Sequence, residues 1–258
     1  MARLEKYSRQ KVKYILRHVS RECPKPYGNS DIDSSRTALN VSLIEGRTGA
    51  AECYDYFKKR LSEVYCYHHK ELKVLAQWVV TSPVDLKAEQ ETEFFEVTND
   101  FLDSLYGSDN CVQAIVHYDE GVKNHLGEIV FGRPHLHYSF IPILPNKHHN
   151  KGARTASAGY SEKVCANELL NRQHLIKWHS EFQKFLNEHG VKCTVKNGAT
   201  AGGNRTVAEL KEQSKLEIEN QLLKQRLAEM EQQLSRQHGW SQSRSWSKEA
   251  TKSWEKEY

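Results

Sequence analysis

Three histidines on two predicted strands have the spacing to share one metal ion. In residues 133–143 (R-P-H-L-H-Y-S-F-I-P-I), strand alternation puts His135 and His137 on one face. His117 ends a second alternating segment, residues 112–117. If the two strands pair, as neighbours in sequence often do, His117 lies opposite the other two. Three neutral imidazoles with open coordination positions suit a divalent ion that acts on a phosphate oxygen.

A group that could react with such a phosphate lies near the N-terminus, in residues 16–22 (L-R-H-V-S-R-E). His18 follows Tyr14 by four residues, so the two share one face of a predicted helix. An imidazole or a phenolate beside a metal-activated phosphate could form a covalent link to a DNA end. Arg21 could hold the phosphate oxygens through its planar guanidinium.

Positive charge is concentrated at the same end of the chain. The 258 residues carry a net charge of +4, but residues 1–25 hold eight Lys and Arg against two Glu. A basic end on a nearly neutral body favours an anionic partner, nucleic acid first. The sequence has no apolar run of about 20 residues and no apolar leader, which excludes a membrane span. Six cysteines without a C-x-x-C pair predict a cytoplasmic protein.

Periodicity and turn residues predict the elements that position these groups. Predicted helices span residues 11–22, 52–75, 88–106 and 168–189. Predicted strands span residues 1–8, 76–81, 112–118 and 135–143. Residues 1–200 form the predicted main domain.

A further helix is predicted over residues 206–237. One face of this helix, called the seam here, is formed by residues that recur at spacings of 4, 3, 4, 3 and 4: Leu216, Asn220, Leu223, Leu227, Met230 and Leu234. This is the a/d pattern of a short coiled coil, and a polar a residue such as Asn220 favours two-stranded pairing. Packing of this helix against its own domain is the alternative. The tail, residues 238–258, is expected to be disordered.

Longer motifs resemble those of the MobV-type plasmid mobilisation relaxases, also called plasmid recombination (Pre/Mob) enzymes. The family's first motif is similar to H-x-x-R followed by N-x-D-I-D-x-x-R-T-x-x-N, and residues 18–21 and 29–40 match it. The metal motif, similar to H-x-D-E-x-x-P-H-x-H, matches residues 117–120 and 134–137. The likeness covers residues 1–215. The chain departs from it by thirteen residues at 121–133, where the family has about two, and by Val41, where the family has an aromatic residue.

The resemblance implies an α+β fold of the HUH endonuclease superfamily, with an antiparallel sheet, helices packed on one face and a C-terminal helix. It implies a metal-dependent DNA relaxase that nicks one strand at an origin of transfer and keeps the 5′-phosphate on a histidine, with Mn²⁺ or Mg²⁺ as cofactor. The implied metal ligands are His117, His135 and His137. The implied catalytic residues are His18, Arg21 and Glu120. The implied DNA contacts are Arg17, Asn29, Asp31, Asp33, Arg36 and Asn40.

The predicted partners are single-stranded or hairpin origin DNA, a supercoiled plasmid, a second copy of the chain and a conjugation coupling protein. Two other functions stay open. One is a tyrosine-type rolling-circle initiator or HUH transposase, in which the DNA adduct would form on Tyr14. The other is a non-catalytic dimeric DNA-binding regulator whose histidines hold metal only structurally, and such a protein would bind duplex DNA whether or not metal is present.

Overall fold

A computed structural model describes residues 2–24, 31–123, 129–147, 159–195, 212, 216 and 219–234. Two compact units divide the chain. The first comprises Met1–Val122 and Phe131–Ala201, and the second comprises Lys123–Val130 and Gly202–Tyr258. The predicted tail, residues 238–258, and the predicted linker, residues 196–205, lie outside the described residues.

A five-stranded antiparallel sheet in the order β1-β3-β7-β4-β2 forms the centre of the first unit. Its strands are β1 (Ala2–Ser8), β2 (Val41–Ser42), β3 (Lys73–Thr81), β4 (Cys111–His117) and β7 (His135–Phe140). Two small sheets join β5 (Gly121–Lys123) with β6 (Ile129–Phe131), and β8 (Ile143–Pro145) with β9 (Glu162–Val164). The helices are α1 (Arg9–Val19), α2 (Ala50–Ser62), α3 (Glu91–Tyr106), α4 (Ala166–Leu169) and α5 (Arg172–Glu188).

Helices cover both faces of this sheet. On one face, Leu136, Tyr138 and Phe140 of β7 pack with the apolar residues of α3 and α5. On the other face, α1 and α2 pack against Leu75 of β3 and Val112 of β4. The predicted antiparallel sheet with packed helices is confirmed, but the helices were expected on one face only, and α1 and α2 occupy the second.

Helix α1 is amphipathic, and its end is set by one residue. Val12, Leu16 and Val19 are buried and recur at helical spacing. Arg21 then adopts a left-handed backbone conformation, with φ of 59°, which cannot continue a right-handed helix. The predicted helix 11–22 therefore ends three residues earlier, and the Arg21 side chain is directed back into the protein, where only 6% of the residue is exposed.

Two of the predicted helices are each divided. The segment 52–75 was expected to be one helix, but α2 ends at Ser62 and β3 begins at Lys73. Val74 and Leu75 are buried in the sheet, and a continuous apolar run is typical of a strand covered on both faces. The segment 168–189 is divided at Asn171, whose Oδ1 accepts from the His174 backbone N–H at 3.0 Å and begins α5 as an N-cap.

Residues 219–234 of the second unit are helical. The apolar seam residues that the structure describes are each more than half exposed: Leu216, Leu223, Leu227, Met230 and Leu234. The coiled-coil pairing stays a prediction. Among the helices that the structure describes, none is long and apolar enough to cross a membrane.

Candidate metal centre

Strands β4 and β7 bring the three histidines together. The strands are antiparallel, and His117 lies directly opposite His135 in their register. His137 follows two residues later on β7, so its side chain projects from the same face. The ring centroids of the three imidazoles are 5.4, 4.6 and 5.0 Å apart. Each ring offers one nitrogen, and these three nitrogens lie within 4.8 Å of one another.

The buried His137 ring lacks the hydrogen bonds that its position requires. It is 8% exposed, and within the described part of the chain neither its Nδ1 nor its Nε2 has a hydrogen-bond partner. A buried polar group without a partner costs about 1–3 kcal/mol. A divalent ion held by the three imidazoles would satisfy one of these nitrogens, so the donor set fits the predicted metal.

Burial keeps His117 and His137 in the form that binds metal. Burial lowers the pKa of His137 well below its usual value, and positive charge on His117 and His135 lowers it further. Burial and the Arg21 charge likewise lower the pKa of His117. Neutral imidazole is the ligand form of histidine, so these environments favour ligation near neutral pH.

The orientation of His117 is fixed by both ring nitrogens. Arg21 Nη2 donates to His117 Nδ1 at 3.0 Å, since a guanidinium has only donors. His117 Nε2 must then carry the hydrogen, which it donates to the Val19 carbonyl at 2.8 Å. A metal ion bound at His117 Nδ1 would displace the Arg21 hydrogen bond from that nitrogen. Arg21 would then keep its carboxylate partners.

These contacts also dock α1 onto the sheet. Gln113 of β4, on the same face as His117, donates through Nε2 to Ser20 Oγ at 2.7 Å and to the Leu16 carbonyl at 3.3 Å. Two side chains of β4 therefore hold the C-terminal end of α1, where the helix carbonyls lack intrahelical partners. His18 lies on this anchored turn.

Arg21 and Asp119 form a buried ion pair beside the histidines. Arg21 Nε lies 3.0 Å from Asp119 Oδ2, and Nη2 lies 2.8 Å from Asp119 Oδ1. Arg21 Nη2 also lies 2.8 Å from Glu120 Oε1. Burial alone would raise the pKa of Asp119, but the hydrogen bonds and charge of Arg21, together with the Asn40 hydrogen bond and the His117 charge, lower that pKa to about 2. Arg21 was expected to clamp phosphate, whereas its guanidinium is buried among carboxylates, which favours a positioning role.

Asp119 also organises the segment that carries the predicted DNA contacts. Its carboxylate accepts from Thr37 Oγ1 at 3.0 Å and from Asn40 Nδ2 at 2.9 Å. Its carbonyl accepts from the Asp33 backbone N–H at 2.8 Å. Asp119 was not among the predicted site residues. Its place in the metal motif, between His117 and Glu120, was the available signal.

The other predicted DNA contacts that the structure describes have partners of their own. Asp31 binds the start of β5 through its backbone, since Gly121 N–H donates to the Asp31 carbonyl at 2.7 Å. The Asp33 carboxylate accepts from Ser35 within its own turn. Arg17 donates to the Glu22 carbonyl at 2.8 Å. Asn29 lies outside the described residues.

Arg36 has two partners near the cluster. Its Nε donates to the Tyr118 carbonyl at 3.3 Å. Its guanidinium carbon lies 3.8 Å from the centroid of the Phe131 ring, which comes from the inserted segment.

The two candidate nucleophiles are adjacent on α1. The rings of Tyr14 and His18 are nearly parallel, with centroids 6.3 Å apart. Tyr14 is 62% exposed. His18 is half-buried, and its charge lowers the pKa of His137, so it lies within electrostatic reach of the cluster. The carboxylate of Glu120 also lies near the cluster, with Oε2 at 3.8 Å from His135 Nε2.

Comparison with known proteins identifies the family. A family model described as "Plasmid recombination enzyme" (Mob_Pre) matches residues 1–211. The chain belongs to this family. A plasmid recombination enzyme of Lactiplantibacillus plantarum is 27% identical over 237 residues, which cover 86% of this chain and 56% of that protein. A type 3 enzyme of Mammaliicoccus lentus is 31% identical over 182 residues, 68% of this chain and 36% of that protein. The chain thus spans about half or less of the length of these family members.

Solved structures of the family confirm the predicted fold. The MobM relaxase domain, bound to plasmid pMV158 oriT DNA and with Mn bound, at pH 6.8, matches with a TM-score of 0.61. The match covers 82% of this chain and 97% of that one at 22% identity. A second Mn-bound structure of the same domain, at pH 4.6, gives a TM-score of 0.59.

Proposed function

We propose that this protein is a metal-dependent DNA relaxase that nicks one strand at an origin of transfer and keeps the 5′-phosphate on His18. One observation carries the proposal: α1 brings His18 within electrostatic reach of a three-histidine cluster in which neither ring nitrogen of His137 has a partner among the described residues. Family membership supports plasmid DNA as the substrate. The nicking activity, its DNA substrate and its partners are all part of this proposal.

The cluster would hold one Mn²⁺ or Mg²⁺ through His117, His135 and His137. When bound there, the ion would polarise a non-bridging oxygen of the scissile phosphate. Mn²⁺ is the ion described with the MobM domain. The Arg21 contacts to Asp119 and Glu120 would keep β4 and α1 in place around the ion.

His18 would act as the nucleophile. Burial and the neighbouring Arg21 charge lower the pKa of His18, so its imidazole is neutral at physiological pH and has a nitrogen lone pair to donate. A bond forms between this nitrogen and phosphorus while the bond from phosphorus to the 3′-oxygen breaks. The ring's remaining N–H proton passes to Glu120, and Glu120 returns that proton through water to the leaving oxygen, which becomes a free 3′-hydroxyl. The phosphoramidate retains the bond energy, so attack by a 3′-hydroxyl reverses the step and rejoins the strand.

Tyr14 is the second candidate nucleophile, since its exposed ring lies one turn from His18 on the same face. An adduct on Tyr14 would make the protein a tyrosine-type initiator or transposase. The greater exposure of Tyr14 favours base stacking over chemistry at the cluster.

The deciding experiment traces the covalent adduct. Supercoiled plasmid and a single-stranded origin oligonucleotide from the same element would be incubated with Mn²⁺ and wild type, His18→Ala, Tyr14→Phe or the exposed-histidine control His68→Ala. We expect relaxed plasmid and a protein–oligonucleotide band that disappears in His18→Ala and with EDTA. Loss in Tyr14→Phe alone would assign the tyrosine class. Duplex binding without an adduct, indifferent to metal, would identify a non-catalytic regulator.

The remaining partners follow from this activity. Plasmid DNA as substrate places the protein in the cytoplasm. The exposed seam of residues 216–234 supports a homodimer through the C-terminal helix. A conjugation coupling protein stays a predicted partner.

A further inference from the structure

An aromatic ring from the inserted segment lies on a guanidinium of the loop that carries the predicted DNA contacts. Arg36 Cζ is 3.8 Å from the centroid of the Phe131 ring, within the range of a cation–π contact. The Phe131 residue keeps 36% of its surface exposed. The pair therefore presents a flat, positively charged aromatic surface to solvent.

Both members of the pair are fixed to the end of β4 that carries the metal motif. Arg36 Nε donates to the Tyr118 carbonyl, one residue beyond His117. Gly132, which follows Phe131, donates its N–H to the Glu120 carbonyl at 2.9 Å. The Glu120 carboxylate reaches to within 3.8 Å of His135 Nε2. A ligand on the Phe131 ring would thus lie next to the proposed site of phosphate chemistry.

The composition of this surface fits a nucleotide of single-stranded DNA. Aromatic rings beside cationic side chains are the common platform for bases that have left a duplex. The guanidinium also attracts the phosphates that flank the base. A base can stack on the partly exposed Phe131 ring but not on an aliphatic side chain of similar size.

We propose that Arg36 and Phe131 form a stacking platform for one base of the single strand next to the nick. The inference rests on the proposed relaxase function and assigns a substrate-positioning role to the insertion at residues 121–133. A base held there would fix the register of the strand over the histidine cluster and so contribute to the choice of the scissile phosphate.

The test uses the full chain in the His18→Ala background, where no cleavage occurs. Origin oligonucleotides would carry 2-aminopurine at successive positions across the nick site, and quenching of its fluorescence by the bound protein would be measured. We expect strong quenching at one position, lost in Phe131→Leu and retained in Phe131→Tyr. Loss of one stacked base weakens binding by about 5- to 150-fold. Arg36→Gln should reduce both the quenching of 2-aminopurine and the affinity for the oligonucleotide. Arg36→Lys should bind the oligonucleotide more tightly than Arg36→Gln does.

The control variant is Tyr160→Leu, which alters a ring of similar exposure elsewhere on the surface, 39% exposed. This variant should bind the oligonucleotide and quench 2-aminopurine to the same extent as the His18→Ala protein does. The proposal is overturned if Phe131→Leu quenches normally at every position, or if it loses thermal stability and Mn²⁺ affinity together with DNA binding, because the pair would then serve only as an anchor for the insertion. Position-specific quenching with no adduct from the His18-containing protein would instead defeat the relaxase proposal and leave the platform standing.

Discussion

Arg21 and Asp119 face each other in the interior through two hydrogen bonds of 3.0 and 2.8 Å. Their side chains are 1% and 0% exposed. The pair links the end of α1, which carries His18, to the end of β4, which carries His117. Removal of either charge leaves the other buried with incomplete compensation.

We expect Asp119→Asn and Arg21→Met each to lower the free energy of unfolding by about 3–5 kcal/mol, as is typical when a buried ion pair is broken. The double variant Arg21→Met/Asp119→Asn should lose less than the sum of the two single losses, because neither member of the buried pair is then left as a lone charge. Chemical denaturation of the metal-free protein measures all three. Additive losses would show that the pair does not couple α1 to β4.

His137→Leu should separate stability from metal binding. Replacing a buried ring that has no hydrogen-bond partner by an apolar side chain should raise the metal-free unfolding free energy by about 1–3 kcal/mol. Wild type should gain stability with Mn²⁺, about 2.7 kcal/mol at a hundred times the dissociation constant, and His137→Leu should gain none. Thermal scans with and without Mn²⁺ make the comparison, with His68→Ala as the control. A metal-free His137→Leu variant that is less stable than metal-free wild type would contradict this interpretation of His137.

The pH dependence of adduct formation should report on His18. Burial and Arg21 lower the pKa of His18 below 6.5, so the neutral nucleophile persists as the pH falls through 6.5. With saturating Mn²⁺, single-turnover rates between pH 8 and pH 5 should fall by half only below pH 6.5. Protonation of the metal ligands also slows the reaction at low pH, but that midpoint moves with Mn²⁺ concentration and the His18 midpoint does not. A metal-independent midpoint above 6.5 would contradict the prediction.

The exposed seam should govern the oligomeric state. Leu223 and Leu227 are each more than half exposed on the C-terminal helix. Leu223→Lys/Leu227→Lys should abolish a dimer in sedimentation equilibrium, while Gln225→Lys, which is off the seam, should not. Asn220→Leu should strengthen association but weaken the preference for two strands. A monomeric wild type at tens of micromolar would reject the coiled-coil prediction.

Strand alternation and chain order were enough to predict the histidine cluster. Residues 112–117 and 133–143 both alternate, and sequence neighbours in an antiparallel sheet place His117 and His135 opposite each other. The boundary between α2 and β3 was missed, because an apolar run buried on both faces has no period that distinguishes it from a helix. The second helical layer was also missed, because the sheet face that it covers carries polar residues such as Gln113, Ser139 and His137.

The position of Arg21 could not be predicted from sequence pattern. Its guanidinium reaches Asp119 because its backbone adopts a positive φ, which is uncommon for a residue other than glycine and has no signature in composition. The central role of Asp119 depends on the same turn. Both are set by long-range contacts between α1 and β4, which lie about 100 residues apart in the chain.

The pairing of β4 with β7 makes the metal site independent of the segment that joins the two strands. The register that sets His117 against His135 is held by six paired positions of the sheet. The connection can therefore change in length or composition while the imidazoles stay in place, and the thirteen-residue segment 121–133 lies within this connection. Segments exchanged at residues 121–133 would therefore leave the spacing of the three imidazoles unchanged.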